Sequence, residues 1–255
     1  MDAPPIPFLH NYCDRRCGRC PLSHRCEIYR PEPDGPTPWP PIAAAAARGE
    51  ISTTATVIRS LRHAVRTMRQ LAEQCGFQIT EEEFADARRE EDARYERAVA
   101  APLVRSAKEY CLTALPILQA LRPIGLQRGD DEVLDALETL EAVAPMVATK
   151  IYRAVSQLQE EDYDPGDVQS DANGSAKVAR LVIADSRRAW QVMMEQGRAT
   201  ADGVPAQLVR RLEELDAGVA AHFPHAMEFM RPGFDTGDDA EAALLAIVGQ
   251  EEPDA

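Results

Sequence analysis

The sequence predicts an all-α protein: an antiparallel helical bundle of four long helices plus shorter C-terminal helices, preceded by an irregular proline-rich arm that carries four cysteines. Three observations predict it. From about residue 50 onward apolar residues recur at spacings of three and four, the period of a helix with one buried face. No run alternates apolar and polar residues for long enough to make a half-buried strand. Aromatic residues are only 5% of the chain and alanine runs such as residues 43–47 recur, a composition that favours helix.

The elements follow in order. Residues 1–41 hold more than half of the chain's 19 prolines, and proline fixes φ and cannot donate a backbone hydrogen bond, so this arm is expected to be extended and irregular. A first helix carries Ile58, Leu61, Val65, Met68, Ala72 and Cys75 on one stripe and closes at Gly76. A second opens at Thr80, a cap followed by Glu81, Glu82 and Glu83, and runs through Phe84 and Tyr95 to a break at Pro102. It continues with Leu103, Ala107, Tyr110, Ala114, Ile117 and Leu121, after which residues 122–130 read as a loop. A third, capped by Asp130 or Asp131, carries Val133, Leu137, Leu140, Ala144, Val147, Ile151, Val155 and Leu158, with a kink expected at Pro145. The fourth carries Val178, Val182, Ala189 and Val192. Shorter helices are expected over 205–219 and 240–248. The organisation is therefore an arm over 1–41 and a helical bundle domain over 50–250.

Composition narrows the function classes. A formal net charge of −14 repels a polyphosphate, so no nucleic-acid partner is expected. The acids of residues 81–96 and the arginines Arg59, Arg62, Arg66 and Arg69 are expected to pair with each other. No stretch approaches eighteen apolar residues, and the N-terminus lacks a basic region followed by an apolar one; no membrane contact and a cytoplasmic location are expected. In a reducing compartment, closely spaced cysteines serve as metal ligands more often than as disulfides.

Residues 11–30, NYCDRRCGRCPLSHRCEIYR, place Cys13, Cys17, Cys20 and Cys26 in a C-x3-C-x2-C-x5-C pattern. Four thiolates so close in sequence can all point inward only if the backbone wraps a central ion or cluster, and Gly18 is expected to permit the tight loop. One compact run of four cysteines with a Cys20–Pro21 step resembles ferredoxin-type ligation, which implies a [4Fe–4S] cluster. The alternative is one zinc ion, with Cys26 or His24 as fourth ligand. Over eight residues Cys13-x3-Cys17-x2-Cys20 also looks like the radical S-adenosylmethionine signature. Arg19 stands where that family usually has an aromatic, and the chain lacks βα alternation, so that chemistry is not carried over. The expected role is redox or electron transfer with a protein redox partner; the alternative is a zinc-stapled, non-catalytic interaction or regulatory module. No catalytic residue can be assigned from spacing.

If the fourth helix begins at Ser170, its inward stripe includes Asp171 and Asp185, and a carboxylate among apolar residues needs a cation, a proton or a metal. Lys177, Arg188, Lys150 and Arg153 are the cations within reach. Two readings stay open. One is a polar pocket built from Asp185, Asp171, Tyr152, Lys150 and Arg153 that takes a small polar ligand. The other, favoured, is an ion pair that fixes helix register.

Overall fold

Five α-helices and no strand occur among the described residues of the computed structural model: α1 Glu81–Ala100, α2 Pro102–Arg128, α3 Asp131–Gln157, α4 Asp171–Glu195 and α5 Val204–His222. Four short 3-10 turns, Leu9–Asn11, Cys17–Arg19, Ser23–Arg25 and Ala226–Glu228, complete them. The described residues are 4–26, 28–29, 81–128, 130–160, 163–196 and 203–235. The expected helices over 50–76 and 240–248, with Cys75 and the arginines of 59–69, lie outside them. None of the described helices is long and apolar enough to cross a membrane.

The chain divides into two compact units, one of Met1–Tyr29 with Arg94–Ala255 and the other of Arg30–Ala93. Of the second unit, the described part is the start of α1, where Arg89 pairs with Asp86 and Arg88 lies 3.9 Å from Asp92 along the same helix face. These acids are thus met in part by arginines one turn away.

In the first unit the helix boundaries follow their caps. Asp130 accepts the Val133 N–H at 3.3 Å and Ser170 accepts the Asn173 N–H at 3.3 Å, each satisfying a donor that a helix start leaves unpaired. Gly203, at φ 64°, turns the chain into α5, and Pro205 occupies its first turn, where a missing N–H costs nothing. The expected break at Pro102 is present, since α1 ends at Ala100 and α2 begins at Pro102. The expected loop over 122–130 is not: α2 continues to Arg128. Pro123 sits on the exposed side of that last stretch, and Gly125 lies so close to α3 that an added Cβ would stand 2.8 Å from a Leu137 methyl. Packing against α3 outweighs the local preference of proline and glycine for a turn.

From α2 onward, helices that follow one another lie side by side and antiparallel. Arg122 of α2 meets Glu141 of α3, while Gly125 meets Leu137. On α3 and α4, Arg153 meets Asp171 at one end and Glu132 accepts from Gln196 at the other. On α4 and α5, Arg180 binds Asp216 at 2.8 Å and Arg187 binds Glu213 at 2.7 Å. Leu103 of α2 faces Gly218 of α5, and Glu109 faces Arg211. Tyr110 and Trp190 are fully buried between α2 and α4, with the indole N–H donating to the phenol oxygen at 3.2 Å.

Candidate functional site

The arm belongs to the same unit as the helices from α2 onward, and its Tyr12 is part of their core. Ile6, Leu9 and Tyr12 are buried, at 0%, 2% and 6% exposure. Two bonds close the arm into a loop, Ile6 N–H to the Arg25 carbonyl at 2.9 Å and Arg25 Nε to the Pro4 carbonyl at 3.0 Å. Within it the chain reverses at Arg15, which has the left-handed φ of 58°, and not at Gly18, whose φ is ordinary and whose missing Cβ leaves open space. A left-handed non-glycine residue costs roughly 1–3 kcal/mol and persists where its surroundings fix it. Here Asp14 does so, accepting from the Arg16 backbone N–H at 3.1 Å and from Arg16 Nε at 2.6 Å.

The reversal at Arg15 and the two 3-10 turns after it bring Cys13, Cys17, Cys20 and Cys26 around one cavity of about 20 Å³, closed on one side by Leu9 and Phe234. His24 does not line it. All four thiols are reduced and half-buried. Among the described residues, no group of three or more His, Cys, Asp or Glu side chains is already gathered to hold a metal ion. Burial pushes the Cys13 thiol above its usual range, opposed by the Lys150 ammonium; the Cys17 thiol is pushed up by burial and then by its neighbours Cys26 and Cys20. Such thiols stay protonated unless a metal centre displaces the proton.

The polar residues expected to form a bundle pocket hold the arm at two separate places. At the first, Arg153 chelates Asp171 through Nε at 2.8 Å and Nη2 at 2.7 Å, and the Tyr12 hydroxyl donates to the same carboxylate at 2.9 Å. Lys150, 3% exposed, donates to the Asn11 carbonyl, and burial followed by the Arg153 charge lowers its pKa to about 8. Tyr152 packs edge-on against Tyr95 with ring centres 5.9 Å apart. At the second, Asp185 takes Arg16 Nη2 at 2.7 Å and Arg188 Nη1 at 3.2 Å. Fourteen residues of α4 separate Asp171 from Asp185, about 21 Å at the rise of an α-helix, so the two carboxylates do not share a pocket. Lys177, the other cation considered for Asp185, instead binds the Phe229 carbonyl at 2.6 Å and Asp235 at 2.7 Å.

Arg16 and Arg19 are the residues whose structural role the sequence did not announce. Arg19 reaches across to α3, where it binds Asp135 and, at 2.7 Å, Glu138. In the sequence both were merely cations flanking thiolates. Asp135 and Glu138 stand three apart on an exposed helix face, which is the one trace of a landing site for a guanidinium.

Set against known proteins, the chain matches no family model, no curated protein and no solved structure.

Proposed function

We propose that the arm binds a [4Fe–4S] cluster through Cys13, Cys17, Cys20 and Cys26, that the helices it rests on form an antiparallel four-helix bundle, and that the protein serves redox or electron transfer. The observation that carries this reading is that all four thiols line one cavity. A single zinc needs its thiolates about 2.3 Å from a common centre. A [4Fe–4S] cluster takes four cysteine thiolates, and four thiols line this one cavity. The cavity is also lined by Asp14, Arg15 and Arg16, and the two guanidinium groups offset part of the charge of four thiolates. Half-buried ligands put the centre at the protein surface, within reach of a partner that gives or takes an electron. When bound, the cluster supplies a one-electron redox centre; the chain's own residues hold it, neutralise it and fix it to the helices.

One observation favours a second reading. The 20 Å³ between the walls accepts a single ion more readily than a cluster, and one zinc would make the arm a structural staple of an interaction module.

An anaerobic preparation examined by visible absorbance and metal analysis separates the two. About four irons per chain, with colour that bleaches with dithionite, is the expected result. One zinc and no colour would replace it with the staple reading, and neither metal in an anaerobically prepared, iron-supplied sample would overturn both.

A further inference from the structure

A groove of about 500 Å³ runs between the arm and α4. That volume lies within the roughly 300–1,000 Å³ of small-molecule sites. Its accessible apolar surface comes from Leu181 and Ala184 of α4 together with Phe234. Its rim carries Arg16, Arg19, Arg188 and Arg231 together with Asp14 and Asp185.

The arginines differ in how far they are committed. Arg16 spans Asp14 and Asp185, Arg19 spans Asp135 and Glu138, and Arg231 chelates Asp235 through Nε and Nη2. Arg188 makes one contact, at 3.2 Å, to a carboxylate that Arg16 already holds at 2.7 Å, and its side chain is 73% exposed. A guanidinium has five N–H donors in a planar fork that matches a carboxylate or phosphate. Arg188 thus stands beside this apolar surface with most of its donors uncommitted.

We infer that this groove binds a small organic anion, its apolar body on the Leu181 and Phe234 surface and its carboxylate or phosphate held by Arg188. Cys20 lines both this groove and the thiol cavity, so the bound anion lies against the wall of the metal site. The inference holds for either metal, because Cys20 enters it as a wall.

The test is calorimetric titration of the full chain with 2-naphthoate, 1-naphthyl phosphate and the neutral 2-naphthol, with metal content measured on the same samples. One site is expected, binding at least one of the anions about tenfold tighter than 2-naphthol and losing about tenfold in Arg188→Gln. The anion that binds tighter identifies the headgroup. Leu181→Glu, which sets a carboxylate on the groove wall, should abolish binding while far-ultraviolet dichroism stays unchanged. Equal affinity for anion and 2-naphthol, no loss in Arg188→Gln, or no anion binding in metal-replete protein would overturn the inference. Anion binding in protein that takes up neither iron nor zinc when supplied with them would support the groove while counting against the metal centre.

Discussion

Gly174 shows how one absent side chain permits the arm to dock. It lies in the first turn of α4, directly under the Tyr12 and Phe229 rings, whose centres are 4.7 Å apart. An added Cβ would stand 2.7 Å from Phe229 Cζ and would also collide with the Tyr12 ring. Alanine is the better helix former by about 1 kcal/mol, yet it would have to displace two tilted, packed aromatic rings in a filled core. Gly174→Ala is therefore expected to destabilise the protein, by roughly 1–3 kcal/mol in urea denaturation. A rise in stability would mean that the rings yield freely.

Among the elements, the turn after Ala226–Glu228 is tied to α4 by Asp235. Burial disfavours a charged carboxylate there, but hydrogen bonds from Arg231 and Lys177 outweigh it and hold the Asp235 carboxyl well below the usual range. A carboxyl lowered in the folded state stabilises the fold above its unfolded pKa of about 3.9, and that stability is lost as pH falls further. Asp235→Asn should cost roughly 1.5–3 kcal/mol at pH 7. It should also flatten the decline in stability below about pH 4, as followed by denaturant midpoints across the acid range. An unchanged acid slope in the variant would show that the clamp is not what the acid removes.

For the molecule as a whole, the arm is a segment with only single-turn 3-10 helices that nevertheless completes the core. Tyr12 carries most of that contact: its ring is buried against Phe229 and its hydroxyl reaches Asp171, which Arg153 already holds. Tyr12→Ala is expected to cost about 3–5 kcal/mol and to make residues 4–29 the first site of limited proteolysis. If the arm were only resting on the helices, the variant would keep its midpoint and its proteolytic pattern.

How much was legible in the sequence follows from the range of each interaction. Helix type, the cap at Asp130, the break at Pro102 and the stripe from Val133 to Val155 depend on residues within a turn or two of one another, and local sequence records them. The four cysteines could be singled out because their spacing spans only fourteen positions. Tertiary structure alone decided the rest. Continuation of α2 past Pro123 depended on Gly125 fitting against Leu137, the reversal at Arg15 replaced the one expected at Gly18, and Asp171 and Asp185 became two anchors for the arm. The two anchors join residues more than a hundred positions apart, Tyr12 to Asp171 and Arg16 to Asp185. A contact of that reach leaves no period or spacing behind it, because its partner is set by where two elements meet in space.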